Sequence, residues 1–273
     1  MLRMILRTFP VALALVGCEA GGGPLFVTEQ QEIAVGAETH AQLMETGELG
    51  TLYDDPTVTQ YVEGLGQELV QQSPRRNLQH RFFVLDTEEV NAFAVPGGYI
   101  YVTTALIRNM NTRAELAGVM GHEVGHIAAY HGAKAMQTNL GLSLLSQLVL
   151  GEGSAAQQVL EYTVGTYLNT AHSQDQELEA DELGVTYASE SGYNPWGIVD
   201  FFGFIEQISG TGDPLSNLLS SHPAPQDRIA DSTRQINALN ISKQDPNYVY
   251  DDQGSSVSFA QIKQRVIDGT ASP

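Results

Sequence analysis

A single cysteine, Cys18, among 273 residues excludes any disulfide within one chain. Positive charge is also scarce: 13 Lys and Arg stand against 32 Asp and Glu, for a formal net charge of −19. So acidic a surface repels phosphate backbones, so nucleic acid and anionic headgroups are excluded as direct partners. Long apolar runs are missing as well. Phe9–Val16 and Leu140–Leu150 both fall well short of the ~20 residues that span a bilayer. No internal repeat, and in particular no 34-residue helical repeat, occurs. With 42% apolar residues the chain can bury one sizeable core, and nothing marks a second large domain.

At the N-terminus, Arg3 and Arg7 precede the first apolar run, and Leu15-Val16-Gly17-Cys18 follows it. This is the pattern of a signal peptide ending in a lipobox. Residues 1–17 are therefore expected to be a signal peptide, and 18–29 a lipidated N-terminus and tether with a flexible Gly21-Gly22-Gly23-Pro24 stretch. Several acyl chains on Cys18 would anchor the protein stably, whereas one alone binds marginally. The alternative is cleavage after Ala12-Leu13-Ala14, giving a soluble periplasmic protein. Glu19 stands where an inner-membrane retention signal would have Asp, so outer-membrane attachment facing the periplasm is the expected location.

The chemistry concentrates in His122-Glu123-Val124-Gly125-His126. Thr112-Arg113-Ala114-Glu115 has the capping-box pattern, and Leu116, Val119, Met120, Val124 and Ile127 recur behind it at helical spacing, predicting a helix from Thr112 to about Met136. Four residues apart on that helix, His122 and His126 project from one face and can take two corners of a tetrahedral zinc. Glu123 then lies beside the metal, where a carboxylate can take a proton from a water that the metal has acidified. The apolar neighbours imply burial, which a metal-bound neutral imidazole tolerates and an unpaired charged one does not.

Fifty-one residues after His126 comes Glu177-Leu178-Glu179-Ala180-Asp181. Glu177 and Asp181 again share one helical face, with Leu178, Leu183 and Val185 turning it inward. A buried carboxylate pair needs a cation, and one zinc per chain supplies it. Glu177 is read as the third protein ligand, leaving one position open for water, and Asp181 as the acceptor for the other ring nitrogen of a ligand imidazole. Glu179 is expected to point to solvent. The metzincin pattern is excluded, because Gly132 stands where its third His would be and Ala129 where its Gly would be. His131 is given no metal role, and His40, His80 and His172 are read as structural.

Four segments in order, NAFAVPGGYIYVTTALI from Asn91, HEVGHIAAYH from His122, ELEADELGVTYASESGYNP from Glu177 and SHPAPQDRIA from Ser221, resemble the motif series of the zinc metallopeptidases related to the HtpX heat-shock protease and the CAAX prenyl protease. The periplasmic BepA and LoiP type is the nearest branch in this reading, over roughly Gln30 to Ile236. The resemblance implies His122, His126 and Glu177 as zinc ligands, Glu123 as general base and Asp181 as their support. It further implies that His222 is either a reversible fourth ligand that shuts the site or a donor to the oxyanion, a task Arg228 could share. The plainer alternative is that His222 and Arg228 cap and charge a helix beginning near Pro225. Asn91, Ala92, Phe93 and Ala94 would form an edge strand that binds substrate backbone, or else an ordinary core hairpin closed by Pro96-Gly97-Gly98.

The expected fold is α+β and mostly helical: a zincin-like (gluzincin) metallopeptidase domain over 30–240, with a small sheet and hairpin beside the metal helix. Residues 241–273 are expected as an acidic C-terminal tail with a short helix around Phe259 to Ile267. Further helices are expected at Gln31–Thr46, Pro56–Gln72 and Trp196–Ile208, a strand at Arg81–Leu85, and Leu140–Leu150 as core. BepA-type relatives carry tetratricopeptide repeats that are not seen here, so the single-domain LoiP-like lipoproteins fit better. The functional expectation is a lipid-anchored zinc endopeptidase that degrades unfolded or misassembled envelope proteins. The alternative is an assembly factor or chaperone with a largely self-inhibited metal site.

Overall fold

The computed structural model describes residues 25–138, 172–208, 216–222, 225–251 and 257–270. Cys18, the signal peptide and Leu140–Leu150 lie outside them. Helix α1, Glu29–Thr46, starts at a capping box in which Thr28 and Gln31 satisfy each other's backbone N–H groups, and stops at Gly47, whose φ of 61° suits the left-handed cap. Helix α2, Pro56–Val70, begins with Asp55 accepting from Thr57 and Val58 and with proline in its first turn. Its buried stripe of Val58, Val62, Leu65 and Leu69 faces the sheet and core.

Four strands make one sheet: β1, Thr51–Leu52; β2, Arg81–Asp86; β3, Ala92–Val95; and β4, Tyr99–Thr103. Their order is β1-β2-β4-β3, with β2 and β4 parallel and the other pairs antiparallel. The β3–β4 hairpin turns at Pro96-Gly97-Gly98, where φ of 80° and 91° at the glycines excludes most side chains. Strand β3 is therefore an edge. Two-residue β1, too short to signal itself in the sequence, closes the opposite edge.

Helix α3, Thr104–Asn109, leads to the metal helix α4, Arg113–Ala128, capped by Thr112 accepting from Glu115. Every residue of α4 from Ala114 to Ala128 is buried. Then come α5, Gln174–Glu190, α6, Trp196–Ile208, α7, Ser216–Ser221, α8, Pro225–Ala238, and α9, Phe259–Thr270. Glycines set how closely these helices approach α4. A Cβ on Gly125 would lie 2.7 Å from the Ala180 carbonyl oxygen of α5, and one on Gly118 would lie 2.8 Å from Ile198 of α6. Helix α4 is thus clasped at backbone contact distance on two sides.

Two features depart from the sequence reading. The metal helix does not run on to Met136: it ends at Ala128, Tyr130 takes φ of 59°, and residues 131–138 form a separate helical stretch. At the stop the Tyr130 N–H turns back to the Ile127 carbonyl at 3.1 Å, and a side chain from outside the segment joins it there. Arg75 donates to the Ile127 carbonyl at 3.0 Å, stacks 4.1 Å from the Tyr130 ring and is paired with buried Glu32 of α1. The helix expected around Phe259 to Ile267 is present as α9; what differs is its place, because Phe259, Ile262 and Val266 are fully buried in the main core beside α2 and α3.

Candidate metal centre and active site

The short α4–α5 distance brings His122, Glu123 and His126 against Glu177 and Asp181, and α7 and α8 add His222 and Arg228 from the other side. All seven side chains are buried. His122 Nε2 and His126 Nε2 stand 2.9 Å apart, and Glu177 carboxylate oxygens lie 3.6 and 3.3 Å from them respectively. His222 Nδ1 is 3.3 Å from His122 Nε2 and 3.1 Å from each Glu177 oxygen. Donors held 2.0–2.1 Å from a tetrahedral ion are separated by about 3.3 Å, so the four donors fit the cage that zinc requires. The nitrogen pair gives an independent reason. Two imidazole lone pairs facing each other at 2.9 Å repel unless a proton or a cation lies between them.

Electrostatics favour a cation. Burial presses on Glu177, yet His222, His126 and His122 outweigh it and hold its carboxyl far below the usual range. Burial also drives the His126 imidazole well below its ordinary value, so it stays neutral and able to coordinate.

His122 Nδ1 lies 2.7 Å from Asp181 Oδ1, an acceptor that keeps the proton on Nδ1 and leaves Nε2 free for metal. Asp181 is itself clamped by Arg228, whose Nε and Nη2 donate to its two oxygens at 2.7 Å each. A third Arg228 donor, Nη1, reaches Glu177 at 2.8 Å, and the guanidinium lies 4.4 Å from the Phe202 ring. Arg228 therefore turns inward from α8 and neutralises two buried carboxylates. Desolvation raises the Asp181 carboxyl while its hydrogen bonds and ion pair with Arg228 lower it, with a net depression.

Glu123 is held differently. Burial raises its pKa, with His222 and His122 pulling the other way, and Oε2 has no hydrogen-bond partner. A buried carboxylate oxygen without a partner has room for the proton of a water beside the metal cage. On that side Val119, Ile198, Phe201, Phe202, Ile205 and Leu218 form an apolar wall next to Glu123, His222 and Arg228.

Asn91–Ala94 lie at the edge of the sheet, with Ala94 and His126 lining one small cleft. Three side chains assigned no role from the sequence also reach the site. His131 Nδ1 is 2.8 Å from His126 Nδ1, His131 Nε2 is 3.1 Å from Glu179 Oε2, and the His172 ring packs 4.0 Å from that of His126. Glu179, expected in solvent, is half-exposed with one oxygen turned inward. On an unbroken helix His131 would sit well away from the face of His126. The break at Ala129-Tyr130 folds it back, and no local motif announces that break. His40 stacks on Phe83, and the Nδ1 of buried His80 pairs with the Leu78 carbonyl.

The sequence profile described as Peptidase family M48 matches residues 56–235, a span that holds the four cage donors together with Glu123, Asp181 and Arg228. A beta-barrel assembly-enhancing protease of Escherichia coli O157:H7 is 32% identical over 199 residues, 69% of this chain and 41% of that protein. The mitochondrial metalloendopeptidase OMA1 of Arabidopsis thaliana is 30% identical over 212 residues, 76% of this chain and 42% of the relative. Metalloprotease LoiP of Escherichia coli K12 is 30% identical over 145 residues, 52% of this chain and 56% of the relative. The chain spans about half the length of these curated relatives. With the profile covering well over half of its residues, the chain belongs to peptidase family M48.

Proposed function

We propose that this chain is a zinc-dependent endopeptidase of the bacterial envelope that cleaves unfolded or misassembled proteins. The observation that carries the reading is the four-donor cage of His122, His126, Glu177 and His222 with the free Oε2 of Glu123 beside it. His122, His126 and Glu177 would hold a zinc ion, which would supply the acidity of a bound water and polarise the scissile carbonyl. Glu123, buried and raised in pKa, takes the proton of the attacking water and passes it to the leaving amine. Asp181 keeps His122 in the coordinating tautomer, and Arg228 keeps Asp181 ionised.

His222 makes the cage closed, whereas a catalytic metal keeps one position open. In this reading His222 withdraws when substrate enters, and its ring or a remaining Arg228 N–H then donates to the oxyanion at the scissile carbonyl. The substrate main chain adds to β3, an edge strand among the described residues, along Asn91, Ala92, Phe93 and Ala94, next to His126. Lipidation at Cys18 would hold the enzyme at the outer membrane facing the periplasm, near proteins that fail to assemble there. The names of the bacterial relatives favour such substrates. A second reading, an assembly factor that binds client strands with cleavage suppressed, draws on the same fourth donor.

Digestion of unfolded casein by the zinc-loaded protein separates them. Slow cleavage by the wild type, faster cleavage by His222→Ala and none by Glu123→Gln with its zinc retained would support the endopeptidase. No cleavage by any of the three at one zinc per chain would favour the assembly factor.

A further inference from the structure

We infer that His131 and Glu179 are positioning residues for the metal: together they hold His126 in the one ring state that can coordinate it. This rests on the reading of His126 as a ligand. To offer a lone pair at Nε2, a neutral His126 must carry its proton on Nδ1. That nitrogen lies 2.8 Å from His131 Nδ1, which must then be bare and accept the bond. A neutral His131 accordingly carries its own proton on Nε2, which lies 3.1 Å from Glu179 Oε2, a pure acceptor. The hydrogen bonds all run in one sense, from the metal cage outward to the carboxylate.

The opposite assignment fails at each step. A proton on His131 Nδ1 would confront the His126 Nδ1–H at 2.8 Å or drive the His126 proton to Nε2, into the 2.9 Å gap facing His122, where it takes the lone pair that the metal needs. It would also set the bare His131 Nε2 against a carboxylate lone pair at 3.1 Å. Glu179 therefore selects the tautomer of His131, and His131 selects that of His126. His131 is fully buried between the His126 ring and Glu179, and a neutral ring with one acceptor and one donor nitrogen satisfies both neighbours.

The two ligand histidines are thus supported in different ways. His122 leans directly on Asp181, which is buried and neutralised by Arg228. His126 reaches its carboxylate through an intervening imidazole, and that carboxylate is half-exposed on the far side of α5. A His131 that merely filled space at the start of the 131–138 helical stretch would be replaceable by an apolar side chain of similar size. A His131 that accepts a hydrogen bond is not.

The test is zinc affinity by competition with a chromophoric chelator, together with zinc stoichiometry, on wild type, His131→Leu, His131→Asn and Glu179→Ala. Loss of a partner behind a metal ligand costs about 10–100-fold in affinity, which is the loss expected for His131→Leu. His131→Asn, whose side-chain oxygen can take the place of Nδ1 as acceptor, should recover most of it. Glu179→Ala should lose less, in the same direction, and being half-exposed it decides the matter if His131→Leu does not fold. Wild-type affinity in His131→Leu, equal losses in the Leu and Asn variants, or wild-type affinity in Glu179→Ala would overturn the inference. So would a second zinc bound by the wild type and lost with His131, which would make His126, His131 and His172 a second metal site. A wild type that binds no zinc would instead bring down the proposed function on which the inference rests.

Discussion

Replacing Gly125 by alanine tests whether the α4–α5 contact distance is what assembles the metal cage. In an unconstrained helix the change would stabilise by about 0.8–1.0 kcal/mol. Here the new Cβ would stand 2.7 Å from the Ala180 carbonyl oxygen and 3.2 Å from its Cα, both closer than the ~3.5–4.0 Å of favourable contact. Overpacking of this kind costs roughly 1–3 kcal/mol. The metal-free protein can relieve it by letting α5 move away from α4. Zinc cannot permit that, because His122 and His126 lie on one helix and Glu177, one turn before Ala180, lies on the other. The strain should then appear as lost metal affinity, about tenfold for each 1.4 kcal/mol. Gly64 in α2 is the control: a Cβ there meets nothing within 4 Å, so Gly64→Ala should gain close to the full helix-propensity benefit and leave zinc binding alone. Urea unfolding of the metal-free proteins and chelator competition supply the two numbers. Gly125→Ala with wild-type zinc affinity and a stability gain equal to that of Gly64→Ala would refute the reasoning.

Three other outcomes are expected. Glu32→Ala strips buried Arg75 of its bidentate partner and should lower stability by about 3–5 kcal/mol in urea unfolding, since only half-exposed Glu29 at 3.6 Å remains. Chelating the zinc should lower the melting temperature, because at 100 times its dissociation constant a ligand stabilises by about 2.7 kcal/mol. His80, far from the cage, has its pKa depressed chiefly by burial, so the unfolded chain takes up its proton more readily. Its contribution is full above the unfolded value of about 6.5 and is lost as pH falls below it, at up to about 1.4 kcal/mol per pH unit. The stability of His80→Gln, followed by urea titrations from pH 7 to 5, should therefore fall less steeply than that of the wild type.

What the sequence disclosed was what it encodes locally. The capping pattern from Thr112 to Glu115, the Pro96-Gly97-Gly98 turn and the four-residue spacings of His122/His126 and Glu177/Asp181 each act within one or two turns of chain. These placed the helices, the hairpin and the first donors of the cage. The features it hid depend on distant partners. Where helix α4 stops, Arg75, 52 residues before Ile127, shares its carbonyl with the Tyr130 N–H, and the break brings His131 to the site. Glu179 looked solvent-facing because helical spacing from Glu177 turns it away, and it does so only in part: its inner oxygen finds a histidine that the helix break has moved. The apolar spacing of Phe259, Ile262 and Val266 was a readable sign that α9 belongs to the core, masked by the acidic composition around it.

The central claim is that one zinc in this cage makes the chain a peptidase, and a zinc titration followed by cleavage tests it most directly. Metal-free protein, in wild-type and His222→Ala forms, would receive increasing zinc while release of peptides from unfolded casein is recorded. The account predicts that cleavage rises with added zinc and levels off at one equivalent per chain in both forms. A flat line in both, with one zinc bound, would contradict it.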